Sequence, residues 1–365
     1  MIKNELLKRN LPDVLTDCSG KTISSKEEWD KVQRPYWKNL LLQEEYGVIP
    51  SLLVPQITKE EFYIDFGGKA VWENITFHFE KDGKSHSIPT KLIYPRGVRN
   101  VPFCICLDFF NEAPSPYLPV EELIDSGIGV FTVSYQAVTN DKDDFSDGLA
   151  GLFANGERAG NATGKIMYWS YMASRMMDYL LTREEADKSR IGVSGHSRLG
   201  KTALLTAALD ERFAFCIVNE SGCSGAAISR GTMNGAERIR DIYQKFPYWF
   251  CPNYAKYMDK EETLPFDQHC LMALVAPREV YVGGAMEDVW ADNNNQFLSC
   301  VAASPVWDIY GAKGLVDAGK MPMEGESFAE GEIKFHLRGG THFLNADDWK
   351  NIRPILKVRY KFHSL

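Results

Sequence analysis

Ser197 is the residue of this chain best placed to do chemistry. It lies in Arg190-Ile-Gly-Val-Ser-Gly-His-Ser-Arg-Leu-Gly-Lys-Thr-Ala-Leu204, which reads as a buried strand, a sharp turn and a helix. A serine at the tip of such a turn has a strained backbone and an exposed hydroxyl. Glycines flank it because strand and helix backbones approach closely there. The usual spacing is G-x-S-x-G; here the second glycine comes one residue late, at Gly200. A serine hydroxyl is a weak nucleophile at neutral pH and needs a base and an orienting acid. After such an elbow they follow in the order acid, then histidine. His342 and His363 are the late histidines that could serve as base. His342 sits in Leu337-Arg-Gly-Gly-Thr-His-Phe343, a Gly-rich loop after the last predicted strand, and is the better placed. His336 falls inside that strand, where alternation buries it or turns it away.

Two carboxylates compete for the acid. Glu220 follows a predicted strand in Asn219-Glu-Ser-Gly-Cys-Ser-Gly225, and Asp288 follows another in Gly283-Gly-Ala-Met-Glu-Asp-Val-Trp-Ala-Asp292. Either could accept the imidazole N–H and stabilise the imidazolium. Arg198, next to the nucleophile, offers a guanidinium where a backbone N–H normally meets the oxyanion. Arg198 and Lys201 are both cations at the positive end of a helix, which opposes the helix dipole. Two such cations beside the nucleophile suggest an anionic substrate.

The elements that must hold these groups can be read from the hydrophobic pattern. Residues 1–60 read as an N-terminal extension packed on the main domain. In it Ser25 and Glu28 form a capping-box pattern before a helix running to about Glu45. Ala70–Glu80 and Ser87–Tyr94 alternate around Asp82-Gly83, a hairpin signal. Strand-like runs follow at Phe103–Phe109, Gly129–Ser134, Arg190–Ser194, Ala214–Asn219, Arg278–Gly283 and Glu332–Leu337, with helical segments such as Gly164–Thr182 and Leu199–Leu209 between most of them. This alternation implies a mostly parallel central sheet with helices on both faces, the three-layer α/β-hydrolase fold, over residues 61–365. Residues 226–270, rich in aromatic and polar side chains, break the rhythm and read as an insertion over the active site.

The chain has 365 residues, 44% of them hydrophobic, enough for one large α/β domain. A net charge of −8 argues against nucleic acid or an anionic membrane surface as a partner. No apolar run has the length of a membrane span. The charged N-terminus lacks the apolar core of a signal peptide, so a cytoplasmic location is expected unless a leader preceded this sequence. The eight cysteines form no C-x-x-C pair and keep no metal-ligand spacing with histidines. Free, mostly buried thiols are expected, with no metal and no cofactor.

Several segments carry a family resemblance. Ser197-Arg-Leu-Gly-Lys201 resembles the S-R-x-G-K elbow of glucuronoyl esterases, carbohydrate esterase family fifteen. Glu220-Ser-Gly-Cys-Ser-Gly-Ala226 is similar to its E-S-G-x-x-G segment, and Tyr248-Trp-Phe-Cys-Pro-Asn-Tyr254 to its W-F segment. Leu264-Pro-Phe-Asp-Gln-His269, Ala276-Pro-Arg278, Asp288-Val-Trp-Ala-Asp292 and Gly339-Gly-Thr-His-Phe343 resemble its bacterial branch. The resemblance implies hydrolysis of the ester between 4-O-methyl-glucuronate on xylan and a lignin alcohol. It implies that Arg198 completes the oxyanion hole, that Lys201 hydrogen-bonds sugar hydroxyls and that Trp249 lines the sugar site. Asn234 and Glu237 are candidates for the remaining sugar contacts. Two features depart from the family. Fungal members are secreted and disulfide-bonded, and the loop after the strand Phe103–Phe109 reads Phe109-Phe-Asn-Glu-Ala-Pro-Ser115 where a G-N-H stretch is usual.

The expected protein is therefore a serine esterase acting on a carbohydrate ester, a small molecule or an oligosaccharide. Ser197 would be the nucleophile, His342 the base and Glu220 or Asp288 the acid. A glucuronoyl ester is the first substrate reading and O-acetyl groups of xylan or xylo-oligosaccharides the second. A carbohydrate-binding protein that has lost catalysis is a third.

Overall fold

The computed structural model describes residues 2–154, 156, 158–316 and 319–357; His363 lies outside them. Ten strands form one sheet: β1 (Gln56–Asp65), β2 (Ala70–Lys81), β3 (Lys84–Pro95), β4 (Val101–Asp108), β5 (Gly129–Ser134), β6 (Ala186–His196), β7 (Phe215–Asn219), β8 (Glu279–Ala285), β9 (Ser327–Phe328) and β10 (Ile333–Arg338). Their spatial order is β1-β2-β3-β5-β4-β6-β7-β8-β10-β9. From β5 to β10 all neighbours are parallel. The pairs at the two edges are antiparallel. Between β2 and β3, Asp82 and Gly83 have φ of 51° and 76°, the paired positive values of a type I′ hairpin turn.

The central strands are buried on both faces, and alternate residues feed two cores. Ile105, Val193, Cys216, Val218, Val280 and Val282 pack on one side with the helices Lys165–Leu180, Arg198–Leu209 and Asn293–Ala303. Cys104, Cys106, Phe215, Ile217 and Tyr281 pack on the other with Val120–Asp125 and Ala346–Lys357. This is the α/β-hydrolase architecture, with helices on both faces of a mostly parallel sheet. All eight cysteines are free, and all but Cys18 are buried. No helix among the described residues is long and apolar enough to cross a membrane.

β1 is a strand that the sequence pattern did not predict. It crosses residue 60 and lies at the sheet edge, where Phe62, Tyr63 and Ile64 stay exposed. A strand solvated on both faces has no period-two alternation to detect. Ahead of it, residues 26–46 form one helical run containing two π turns, Trp29–Gln33 and Leu42–Tyr46. Ser25 Oγ accepts the Glu28 N–H at 3.2 Å, and Glu28 in turn accepts the Ser24 N–H at 3.0 Å. The run stops at Gly47, whose φ is 85° and where a Cβ would lie 2.4 Å from the Ala162 carbonyl oxygen, so a side chain cannot be accommodated. Its C-terminal end braces the segment after β7: Tyr46 Oη donates to the Ser224 carbonyl at 2.8 Å. Glu45, fully buried and pushed up to about 8 by that burial, accepts both contacts from Gln268 Nε2 at 3.1 Å.

Candidate active site

β6 ends at His196, and the helix Arg198–Leu209 begins two residues later. Ser197 joins them with φ 57° and ψ −124°, a left-handed conformation that costs a non-glycine residue energy and marks the elbow. Two glycines make the turn possible. A Cβ at Gly195 would lie 2.1 Å from the Leu199 carbonyl oxygen, and one at Gly200 would lie 3.0 Å from the Asn219 carbonyl oxygen. Leu199, where the usual motif has glycine, is fully buried in the core. The close approach of the helix to β7 falls at Gly200, which accounts for the late glycine. The Ser197 N–H donates to the Asn219 carbonyl at 2.9 Å, tying the elbow to β7.

The other side of the site is built by the ends of β7, β8 and β10. His342 follows β10, and its Nδ1 lies 2.6 Å from Asp288 Oδ2 and 3.2 Å from Glu220 Oε2. Both candidate acids therefore face one imidazole nitrogen, with Asp288 the nearer. Burial works against the imidazolium, but the two carboxylates outweigh it and raise His342 to about 9. Burial pushes Glu220 up to about 7, against His342 and the Arg338 guanidinium. Burial also opposes the Asp288 carboxylate; there the His342 contact prevails, and the Glu220 carboxyl assists, so Asp288 is lowered.

Arg338 organises this corner. Its guanidinium donates to Asp348 Oδ2 at 2.8 Å, to Glu220 Oε1 at 2.7 Å, and to the carbonyls of Gly339 at 2.7 Å, Thr341 at 3.2 Å and Phe343. The loop carrying His342 is thus wrapped around a buried cation. Glu220 Oε2 also accepts the Phe343 N–H at 3.1 Å. His336 is buried in β10 as its alternation predicts, with Nε2 2.8 Å from Asp348 Oδ1.

In the loop after β4, the N–H groups of Phe109 and Phe110 turn to the Asp108 carboxylate. The Phe110 N–H donates to Asp108 Oδ1 at 3.1 Å, and Ser115 Oγ donates to Asp108 Oδ2 at 2.6 Å. Phe109 instead packs its ring against Tyr117, Tyr135 and His196. On the serine side remain the opening N–H groups of the helix, which have no intrahelical acceptor, and the Arg198 side chain. The Arg198 guanidinium lies 4.8 Å from the centroid of the Trp249 ring, and Nη1 is paired with Asp141 Oδ2.

Ser197, Arg198, Lys201, Glu220, Glu237, Trp249 and His342 border one cavity of about 270 Å³, together with Lys245, Phe246 and Trp290. That is near the lower end of small-molecule sites and suits a single small ring. The aromatic walls come from two places: Phe246 and Trp249, stacked 4.0 Å apart, and Trp290, half-exposed beyond Asp288. Lys201 Nζ donates to the Ser221 carbonyl at 2.6 Å, to the Cys223 carbonyl and to Glu237 Oε2 at 3.1 Å. Trp290 Nε1 donates to Glu237 Oε1 at 3.1 Å. Asn234 is exposed and outside the cavity lining.

One inference from the sequence loses its basis here. Two uncompensated cations beside the serine suggested an anionic substrate, but Arg198 is paired with Asp141 and Lys201 with Glu237. An ammonium has three N–H donors, and those of Lys201 are all engaged. Trp249 lines the cavity with its ring, while its Nε1 donates to Asp141 Oδ1 at 2.6 Å and so faces away from a ligand.

Six residues of the site escaped the sequence reading, Lys245 and Phe246 among them, which lie in the segment read only as an insertion. Arg338 and Trp290 lie inside segments already singled out, but their roles depend on partners distant in the chain. Asp141 sits in Thr139-Asn-Asp-Lys-Asp-Asp144, with no local feature to mark it. His196 precedes the nucleophile; its ring centroid is 4.4 Å from that of His342, and its Nδ1 lies 2.6 Å from Asn219 Oδ1. Burial, then the neighbouring His342, lowers His196 to about 3, so it is neutral. Donor atoms of His196, Glu220 and His342 come within 4.8 Å of one another, the spacing of a possible metal site. Each has partners of its own, Asn219, Arg338 and Asp288 respectively, in an arrangement built for proton transfer.

Comparison with known proteins places this geometry in context. A family model described as fungal glucuronyl esterase matches residues 77–311. A carbohydrate esterase from an unknown prokaryotic organism is 31% identical, over 94% of this chain and 88% of that protein. The 4-O-methyl-glucuronoyl methylesterase of Podospora anserina is 27% identical over 83% of this chain, which spans 60% of that relative's length. A solved glucuronoyl esterase from Solibacter usitatus superposes with a TM-score of 0.88 at 32% identity, over 95% of this chain and 97% of that one.

Proposed function

Because the chain belongs to the glucuronoyl esterase family, we propose that it hydrolyses 4-O-methyl-glucuronoyl esters by acyl transfer through Ser197. Ser197 Oγ attacks the uronoyl carbonyl carbon while His342 Nε2 takes its proton. Asp288, nearest to Nδ1, orients the imidazole and stabilises the imidazolium, and Glu220 assists. The oxyanion of the tetrahedral intermediate meets the N–H groups that open the helix and the Arg198 guanidinium. The C–O bond to the alcohol then breaks, and His342 returns the proton to the departing oxygen. In the second half His342 takes a proton from water, the hydroxyl attacks the acyl carbon, and the uronic acid leaves as Ser197 regains its hydrogen.

The observation that carries this reading is a serine strained to φ 57° on the same cavity as a histidine whose Nδ1 is 2.6 Å from a carboxylate. The sugar side supports it. A ring hydroxyl that accepts from Lys201 and donates to Glu237 replaces the 3.1 Å contact between them, and the indole of Trp290 offers an apolar face to the ring. The names of the relatives favour a uronoyl ester over an acetyl ester. The test compares initial rates on benzyl glucuronate and on acetylated xylo-oligosaccharide for the wild type and Ser197→Ala. Uronate hydrolysis that vanishes in the variant is expected. Acetate release without uronate hydrolysis would overturn the substrate assignment.

A further inference from the structure

Asp141 lies on the segment after β5, 57 residues before Arg198 in sequence, yet it is the hub of the oxyanion side. Its Oδ2 accepts from Arg198 Nη1 and, at 3.0 Å, from Tyr135 Oη; its Oδ1 accepts from Trp249 Nε1 at 2.6 Å. Its own carbonyl accepts from Tyr248 Oη at 2.9 Å. Arg198 Nε is buried without a partner, and the guanidinium carbon lies 4.8, 5.4 and 5.8 Å from the ring centroids of Trp249, Phe246 and Phe109. Attraction to ring faces holds a guanidinium in place but does not set where its N–H groups point. The ion pair with Asp141 supplies that direction.

Asp141 is itself held firmly. Lys165, whose side chain is fully buried, donates Nζ to the Asn140 carbonyl at 2.8 Å, to Asn140 Oδ1 at 2.5 Å and to the Asp144 carbonyl at 2.6 Å. Asp147 accepts the Asn140 N–H at 2.9 Å. Trp169 Nε1 donates to the Thr139 carbonyl at 3.2 Å. The segment is anchored on both sides of Asp141.

From this arrangement we infer that Asp141 is a positioning residue for catalysis: its single carboxylate aims the Arg198 guanidinium at the oxyanion and locks Trp249 into the wall of the same cavity. The inference rests on the proposed oxyanion role of Arg198. An asparagine cannot substitute. Three donors converge on the two carboxylate oxygens; in one orientation the amide NH₂ faces the Arg198 guanidinium and in the other the Trp249 indole N–H, neither of which can accept, and in both the charge paired with Arg198 is lost.

The experiment follows phosphorylation of Ser197 by diethyl 4-nitrophenyl phosphate. Ser197 Oγ bonds to phosphorus, 4-nitrophenolate leaves, His342 takes the serine proton, and the phosphoryl oxygen occupies the oxyanion site without any sugar. Rates are measured for wild type, Asp141→Asn, Arg198→Ala and the double variant. Loss of an oxyanion donor costs about 10²- to 10³-fold, and mispositioning one is expected to cost about 10- to 100-fold. The double variant should be no slower than Arg198→Ala, because Asp141 acts through Arg198. A wild-type rate in Asp141→Asn, or the same loss repeated in the Arg198→Ala background, overturns the inference. If Asp141→Asn does not fold, Asp141→Glu keeps the charge but moves it by about one C–C bond of 1.5 Å. A loss above about tenfold with an unchanged melting temperature is then expected, and a wild-type rate refutes the role. Should benzyl glucuronate prove inert while the phosphorylation rates show this coupling, the substrate reading fails and Asp141 keeps its role.

Discussion

Replacing Asp288 by asparagine tests which carboxylate drives the histidine. The substitution keeps the shape and an acceptor for the Ala291 N–H, which Asp288 Oδ1 holds at 3.3 Å, while removing the charge 2.6 Å from His342 Nδ1. At an effective dielectric constant of about 20, a unit charge at that distance is worth about 6 kcal/mol to the imidazolium. Glu220 at 3.2 Å would be worth about 5 kcal/mol if fully ionised. It sits near 7, however, and its other oxygen faces Arg338 at 2.7 Å. Once the neighbouring charge is gone Glu220 ionises more readily and recovers part of the loss. A net cost of about 3 to 4 kcal/mol remains, or about 10²- to 10³-fold in kcat.

The assay is the pH profile of benzyl glucuronate hydrolysis for Asp288→Asn, Glu220→Gln and the wild type. His342 must be neutral to accept the serine proton, so activity rises as it loses its own. With His342 held near 9, the acid limb of the wild type lies on the alkaline side of the ordinary histidine value. Removing Asp288 destabilises the imidazolium, so the limb should move to lower pH as the plateau falls. Glu220→Gln should cost only about tenfold, with a smaller shift of the limb. A larger loss in Glu220→Gln than in Asp288→Asn would refute the argument from distance and ionisation.

Ser197→Ala and His342→Ala should each cost several orders of magnitude in kcat, and the double variant little more, since such groups act as a unit; initial rates on one ester decide it. Arg338→Met leaves Glu220 and Asp348 facing each other without their shared cation and should lower stability by about 3 to 5 kcal/mol in denaturant titrations. A loss below about 1 kcal/mol would show that the loop carries itself. Glu237→Gln removes the charge paired with Lys201 at 3.1 Å and should strengthen inhibition by free glucuronate several-fold. An unchanged inhibition constant would mean that the product never meets Lys201.

What could be read from the sequence was mostly local. The elbow announces itself because Gly195 and Gly200 must admit backbone within van der Waals distance, and that demand is written on neighbouring residues. His342 and both acids were legible because the fold places such groups just after strands, and the strands show in the hydrophobic pattern. β1 was missed because it is solvated on both faces. The partners of charged residues were missed because they are remote in sequence: Asp141 lies 57 residues from Arg198, and Glu237 lies 36 residues from Lys201. A sequence shows that a cation stands beside the nucleophile but not the carboxylate folded against it, and so the anionic substrate was inferred from half of each pair.

Those pairs bear on the reaction itself. An ester is neutral, so a site meant to bind one gains nothing from a bare cation, whose desolvation the substrate could not offset. Arg198 with Asp141 and Lys201 with Glu237 present polar hydrogen-bonding edges at little net charge. Charge develops twice during turnover, first on the oxyanion and finally on the released carboxylate. The guanidinium beside Ser197 serves the first through its direction, which Asp141 sets. The second arises among Asp141, Glu237 and the two acids on His342, where Arg198 and Lys201 each keep a carboxylate of their own, while Lys245 borders the cavity over the Trp290 ring. The same pairing that aims the donor toward the transition state therefore weakens the hold of Arg198 and Lys201 on the acid produced, which favours the transition state over the product.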